Sequence, residues 1–339
     1  MKKTDFLRVE AWDADRVDAL LTLAARIKRG EVQGGLSGRV LSLLFLDPSL
    51  RTRASFETAM ALHGGHTVVL EPGHGAWPLE LEVGSVMDQQ TVEHAIDAAR
   101  VLGRYADFLG VRCFPRGASW QEAGRDATLQ LFATHCERPV INLESARRHP
   151  CQELADAQTI IERCGRTRGK KFALVWSWHP KALPTAVPVS AALAAARLGM
   201  DLTIAHPAGY ELDFEDLQAI ECLAQARGGS VTRTDSLREA IAGAEVVYAK
   251  SWGALADFGN PELESERRRR LHDWRVTAAL MRQTRQGEGS FMHCLPVRRN
   301  VEVDDAVLDG PWSAVVDQAE NRLHAQRALL LMLAQENRQ

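Results

Sequence analysis

RVLSLLFLDPSLRTRASFE, residues 39 to 57, contains the turn on which the reading of this chain depends. Its first eight residues form an apolar run of the length that suits a strand buried inside a sheet. Beyond the turn, Phe56, Met60 and Leu62 recur at helical spacing until Gly64 and Gly65 stop the pattern. The expectation is a strand, a tight turn and a helix, with Ser49, Arg51, Thr52 and Arg53 crowded at the helix start. The first N–H groups of a helix lack partners and carry about half a positive charge of the macrodipole, so a phosphate fits there. Two guanidiniums would add forked, charge-assisted hydrogen bonds, and the hydroxyls would add uncharged donors. The plainer alternative is that Ser49 only caps the helix and the arginines are solvated.

Working outward, helix and strand patterns alternate. WDADRVDALLTLAARIK places Val17, Leu20, Leu21, Ala24 and Ile27 on one helical face, with Asp13 as its cap. After residues 39 to 57 come GHTVVL (65–70), a helix near 93–103, FLGVR (108–112) and PVINLE (139–144). A second series begins with FALVWSW (172–178). It continues through a helix near 186–199, DLTIA (201–205), a helix near 214–227, SVTRT (230–234) and EVVYAK (245–250). A last helix from about Asn321 to Gln335 follows SAVVDQ, which reads as a strand. The fold class expected is α/β, with two domains that are each an open, mainly parallel sheet flanked by helices. The restart of the alternation puts the boundaries at residues 1–147, 148–318 and 319–339, the last segment packing back on the first domain.

At 339 residues the chain suits two domains of ordinary size, and 45% hydrophobic with 25% charged residues is a soluble globular composition. A net charge of -3 gives no basic field, so neither nucleic acid nor an anionic membrane is expected as a main partner. ERRRRLHDW, preceded by the acidic PELESE, reads as a solvated helix face. The six cysteines show no C-x-x-C pair and no metal-ligand spacing, and no signal peptide is evident. A cytoplasmic protein with reduced thiols and no metal is expected.

Ligands of such sheets bind beyond the carboxyl ends of the strands. Five polar clusters fall there: DPSLRTR, VRCF, ESARRHPCQ, KSWG and HCLPVRRN. Their number makes an active site the expected use of these loops. Cys294 could be a nucleophile, but His293 is only its sequence neighbour and points the other way on an extended strand.

The set S-x-R-T-R, H-P-x-Q and H-C-L-P, at Ser49–Arg53, His149–Gln152 and His293–Pro296, resembles the aspartate and ornithine carbamoyltransferase family in order and over nearly the whole chain. The resemblance implies a carbamoyl phosphate-binding first domain, an amine-binding second domain, no cofactor, and a homotrimer with shared active sites. For carbamoyl phosphate it implies Ser49, Leu50, Arg51, Thr52, Trp77, Arg112, His149, Pro150, Cys151, Gln152, Cys294, Leu295 and Arg322. Arg112, His149, Gln152 and Cys294 are its implied catalytic residues, with Cys294 and Leu295 presenting backbone carbonyls to the attacking amine. Donors aimed at the substrate carbonyl oxygen stabilise the charge that develops there.

Departures narrow the amine. Where ornithine carbamoyltransferases carry D-x-x-x-S-M-G for a free α-ammonium, this chain reads VVYAKSWGAL, and the Lys250 cation would repel that group and attract a carboxylate. GAWPLE, VMDQQTVEH, VLGRY, HPCQELA, YAKSWGAL, HCLPVRRN and AENRLH resemble the N-acetylornithine carbamoyltransferases, a branch of the family. That likeness implies that Glu144, Lys250 and Leu295 contact N-acetyl-L-ornithine and that Trp77 enters a neighbouring subunit's site. Two positions differ. Val92 stands where acetyl enzymes carry glutamate and succinyl-specific relatives proline, which removes a repulsion toward a longer, anionic acyl group. Glu302 stands where the relatives carry lysine and reads as the electrostatic partner of Arg298 and Arg299. N-succinylornithine is the alternative substrate, and plain ornithine a weaker one. A nicotinamide dehydrogenase is disfavoured because no G-x-G-x-x-G follows a predicted strand.

Overall fold

The computed structural model describes residues 3–337; Met1, Lys2, Arg338 and Gln339, the ends of the expected first and last segments, lie outside the described residues. Helix α1 (Ala14–Lys28) is capped by the Asp13 carboxylate, which accepts the Arg16 N–H at 2.8 Å. It buries Val17, Leu20, Leu21, Ala24 and Ile27, the stripe expected of an amphipathic helix. Next come β1 (Val40–Phe45), α2 (Leu50–Leu62), β2 (His66–Leu70), β3 (Leu79–Glu80), β4 (Glu93–His94), α3 (Ala95–Tyr105) and β5 (Phe108–Arg112). They are followed by α4 (Trp120–Ala123), α5 (Ala127–His135), β6 (Val140–Glu144) and α6 (Pro150–Cys164). The second series is β7 (Lys171–Trp176), α7 (Ala186–Arg197), β8 (Asp201–Ala205), α8 (Phe214–Arg227), β9 (Ser230–Thr234), α9 (Leu237–Ile241) and β10 (Val246–Lys250). Last are α10 (Pro261–Arg268), α11 (Ala278–Met281), β11 (Ser290–Met292), α12 (Asp305–Leu308) and α13 (Val315–Glu336).

Two compact units result. One holds the chain up to Arg116, Gly124–Cys151 and the part from Arg322 onward; the other holds Gly117–Ala123 and Gln152–Asn321. The chain thus changes unit inside α6 and again inside α13. In the first unit a parallel sheet has the order β2-β1-β5-β6, so the winding reverses between β1 and β5. In the second the order is β11-β10-β7-β8-β9, also parallel, and the reversal falls between β7 and β10. A reversal leaves a crevice beyond the carboxyl ends of the two strands flanking it, where no crossover covers them.

Strands β1, β5, β6, β7 and β10 are buried almost throughout, because helices flank a parallel sheet on its faces and leave no solvated side. That is why they read as unbroken apolar runs. The edge strands β2 and β9 keep exposed positions, and β9 spends Thr and Arg on them.

Three expectations need correction. Leu62 is half exposed, because a residue six past Phe56 has rotated away from the face that Phe56 and Met60 bury. SAVVDQ is not a strand: Ser313 makes a single bridge to Phe291, and α13 starts at Val315 with Val316 facing solvent. Arg268 in ERRRR is buried rather than solvated, bonded to Glu264 one turn earlier and to the Trp252 carbonyl at 2.9 Å. Burial of such a pair requires that its polar atoms be satisfied, and here both partners lie on α10. Among the described residues no helix is long and apolar enough to cross a membrane.

Candidate active site

In the first unit, the loop after β1 is held from several sides. The Asp47 carboxylate accepts the Phe114 N–H at 2.7 Å and an Arg116 N–H at 3.0 Å, and the Pro48 carbonyl accepts the Arg112 Nε–H at 3.2 Å. Ser49 is extended and its Oγ accepts the Thr52 N–H at 3.3 Å, so it does cap α2. The Leu50 side chain faces solvent, leaving its backbone as its contribution to the helix start. Arg53 turns to the side and pairs with Glu71 at 3.1 Å and Glu57 at 3.6 Å.

Around this turn gather groups from β5, β6, α6 and α13. A register shift between β5 and β6 sets Arg112 abreast of Glu144, and the two form a buried ion pair. Arg322 is buried and donates to the Thr52 hydroxyl at 2.9 Å. His149, directly before Pro150 opens α6, is buried, with Nε2 at 3.7 Å from Glu144, too far for a hydrogen bond. Burial holds its imidazole well below the usual histidine range, and Arg322, Arg112 and Arg51 push it further down. It is therefore neutral. The Arg322 guanidinium is lowered too, first by burial, with Arg112 and Arg51 adding to it while Cys151 and Glu144 oppose. Three guanidiniums thus share one region with a single paired carboxylate, an excess of positive charge that an anion would relieve. The Cys151 thiol is pushed up to about 12 by burial and stays protonated.

The second unit carries a different set. Gln152 on α6 donates to Asp156 at 2.7 Å, and Gln318 on α13 donates to the same oxygen at 2.7 Å. The Gln318 carbonyl oxygen accepts the His293 N–H at 2.9 Å. His293 Nδ1 accepts the Leu295 N–H at 3.0 Å, which places its proton on Nε2, 3.3 Å from Glu302. The ring is therefore committed on both sides and is no base for Cys294. Leu295 has φ 56°, a left-handed conformation costing a non-glycine residue about 1–2 kcal/mol. These hydrogen bonds hold it there and fix how the Cys294 and Leu295 carbonyls are aimed.

Glu302 departs from the expectation. Its carboxylate binds His293 and the Arg298 backbone N–H, the latter at 2.8 Å, while Arg299 pairs instead with Asp305 and Asp309. Burial alone would raise its pKa, but the His293 hydrogen bond and charge, then Lys250, bring it down to about 2. Lys250 ends β10 and is buried.

Of the residues singled out in the sequence, Ser49, Leu50, Arg51, Thr52, Arg112, Glu144, His149, Pro150, Cys151 and Arg322 belong to the first unit. Gln152, Lys250, Cys294 and Leu295 belong to the second. Trp77 and Val92 are exposed in the first unit, and the Trp77 indole donates to Glu93 at 2.6 Å. Sequence reasoning missed Asp156, Gln318 and the use of His293. Asp156 was legible as the i+4 neighbour of Gln152, whereas Gln318 lies 162 residues from Asp156 and gave no signal.

Two parallel sheets flanked by helices, with an anion-seeking cluster beyond the switch point of one and a buried cation at that of the other, define a two-domain α/β group-transfer protein. The chain belongs to the aspartate/ornithine carbamoyltransferase family. The family model for the carbamoyl-P binding domain matches residues 4–162, and that for the Asp/Orn binding domain matches residues 169–333. The chain is 46% identical over 342 residues to the N-acetylornithine carbamoyltransferase of Xanthomonas campestris pv. campestris, covering 100% of each. Among solved structures it is similar to acetylornithine transcarbamylase complexed with acetylcitrulline, with a TM-score of 0.94, 46% identity, and 97% and 99% of the two chains covered. The same TM-score of 0.94, identity of 46% and coverage of 97% and 99% hold for another form of N-acetyl-L-ornithine transcarbamylase. In that mutant a valine replaces a glutamate, and it is complexed with carbamyl phosphate and N-succinyl-L-norvaline.

Proposed function

We propose that this chain transfers the carbamoyl group of carbamoyl phosphate to the δ-amine of N-acetyl-L-ornithine, giving N-acetyl-L-citrulline and phosphate in L-arginine biosynthesis. The observation that carries this reading is the cluster of Arg51, Arg112 and Arg322 around neutral His149 at the start of α2. A phosphate docks on the N–H groups between Ser49 and Thr52, with Arg51 and Arg322 as its charged partners. Thr52, Arg112, His149 and Gln152 serve the carbonyl oxygen, which gains charge as the amine nitrogen attacks the carbon. The bond from that carbon to the phosphate oxygen then breaks, phosphate leaves with the electron pair, and the proton lost by the amine nitrogen passes to the departing phosphate. A neutral imidazole is suited to this role, because it can donate a hydrogen bond without placing a fourth cation beside the arginines.

The second unit holds the amine substrate: the carbonyls of Cys294 and Leu295 orient the attacking nitrogen, and Lys250 favours the carboxylate of an acylated amino acid over a free α-ammonium. Glu144, Trp77, Pro150 and Cys151 complete the site residues we assign. We further assign a cytoplasmic homotrimer, with Trp77 contributed to a neighbouring copy. Trp77, Val83, Val86, Met87 and Tyr105 support this by leaving apolar surface exposed on the first unit.

N-succinylornithine is a second reading, favoured by the apolar and exposed Val92. The test compares carbamoyl phosphate-dependent ureido-product formation from N-acetylornithine, N-succinylornithine and ornithine at equal concentration. Fastest turnover of N-acetylornithine is expected. Preference for the succinyl compound would reassign the acyl group, and preference for ornithine would overturn the acylated-substrate reading.

A further inference from the structure

In the first unit, His149 stands between Pro150, which opens α6, and a short loop at residues 145–148 that follows β6. The loop is closed on itself by the Ser145 N–H, which donates to the Arg148 carbonyl at 2.9 Å. Buried Asn142 donates to the Ser145 hydroxyl at 3.1 Å and to the Leu7 carbonyl at 2.9 Å, and Arg148 pairs with Glu10 at 2.6 Å. Three donors of the loop turn to one carboxylate. Asp126 accepts the Ser145 hydroxyl at 2.8 Å, the Ala146 N–H at 2.7 Å and the Arg147 N–H.

Asp126 sits directly before α5, in the N-cap position. An aspartate there ordinarily turns its carboxylate to the first N–H groups of its own helix, which contributes about 1 kcal/mol. Among the described residues the Asp126 side chain makes no such bond to α5. Its backbone is left-handed, at φ 54° and ψ 35°, a conformation that aspartate tolerates better than most side chains, and its carboxylate meets the loop instead. Burial raises the pKa of this acid, while its bonds from Ser145, Ala146 and Arg147 oppose the rise. A cap is given up, a left-handed backbone is accepted and an acid is partly buried, and all three serve the loop that leads into His149.

We propose that Asp126 is a positioning residue for carbamoyl transfer: its carboxylate fixes the loop at 145–148 so that His149 presents its imidazole to the carbonyl oxygen of carbamoyl phosphate. This rests on the function proposed above and deepens it, because it names what sets the place of one donor. Such a donor stabilises the charge developing on that oxygen from about 2.7–3.1 Å away, and a misplacement of about 1 Å costs up to about a hundredfold in rate. A neutral imidazole carries no net charge to draw it toward the oxygen, so its reach depends on the backbone that carries it.

The experiment measures kcat and KM for N-acetylornithine and N-succinylornithine at saturating carbamoyl phosphate. It uses the whole enzyme, the variants Asp126→Gly, Asp126→Asn and His149→Ala, and the double variant of Asp126→Gly with His149→Ala. Glycine removes the carboxylate and adopts the positive φ without strain, and asparagine keeps that backbone with one acceptor oxygen. Asp126→Gly should lower kcat about tenfold to a hundredfold with KM for the acylornithine within about twofold, and Asp126→Asn should fall between it and the wild type. If Asp126 acts through His149, the double variant should be slower than His149→Ala by no more than about twofold. An unchanged kcat in Asp126→Gly, a loss carried by KM alone, or losses that multiply in the double variant overturns the positioning role. Should Asp126→Gly fail to fold by circular dichroism, the same cycle built on Asp126→Asn decides. A His149→Ala enzyme as fast as the wild type, or a wild type that turns over neither acylornithine, overturns the function on which this rests and is distinct from those outcomes.

Discussion

The arginines of the first unit differ in what they face, and sequence position alone does not separate them. Arg51 and Arg53 are two residues apart in the same turn, yet Arg53 neutralises Glu57 and Glu71 while Arg51 acts on the buried His149. Only the second adds to the excess charge that a phosphate would relieve. An Arg51→Ala enzyme should therefore bind carbamoyl phosphate about tenfold to a hundredfold more weakly by calorimetry, with unchanged circular dichroism. Arg53→Ala should lose little affinity, since a half-exposed surface pair contributes about 0–1 kcal/mol. Equal losses in the two variants would mean that the turn responds to total charge and not to placement. Glu144 carries the opposite lesson. The family resemblance implies it as a substrate contact; its ion pair with Arg112 is a further role, and that pairing depends on a register shift between two strands that no local pattern encodes.

Helix caps are the elements the sequence describes best, because the capping residue and its partner are only three positions apart. Asp13 and Ser49 both accept the N–H three residues on, as the pattern before each apolar stripe implies. The two caps make a controlled comparison. Replacing either by alanine should lower stability by about 1 kcal/mol in a denaturant titration. Only Ser49→Ala should also weaken carbamoyl phosphate binding, because α1 begins away from the cluster and α2 begins in it. A similar loss of affinity in Asp13→Ala would show that binding merely tracks stability. Strands were legible where both faces are buried, as in β1 or β10, and SAVVDQ misled for the same reason. A short apolar stretch reads alike whether a sheet or the first turn of a helix takes it up. Arg268 escaped notice because a run of four arginines carries no sign of which one folds inward against Trp176 and Tyr210.

At the scale of the whole molecule, the division into two sheets was readable from the restart of the strand and helix alternation. The links within the second unit from Gln318 to Asp156, Tyr248 and His293 were not, because they join residues 162, 70 and 25 positions apart. Assembly belongs to this scale too. If a neighbouring copy takes up Trp77, then Trp77→Ala should lower kcat/KM while leaving the monomer's melting temperature nearly unchanged, since the indole is largely exposed within one chain. Sedimentation and activity measured across one dilution series would show whether activity falls as the proposed trimer dissociates. Full activity in Trp77→Ala would remove the shared-site part of the proposal. The winding of the chain has one more effect, on the order of events at the ribosome. Because Arg322 and the helix turns after it belong to the first unit, the part synthesised first lacks the Arg322 bond to Thr52, and the Arg327 contact to His63 at 2.9 Å, until the last part emerges. The second sheet can thus be complete before the first unit is closed, and translation arrested short of residue 322 should yield a nascent chain whose N-terminal portion stays sensitive to protease.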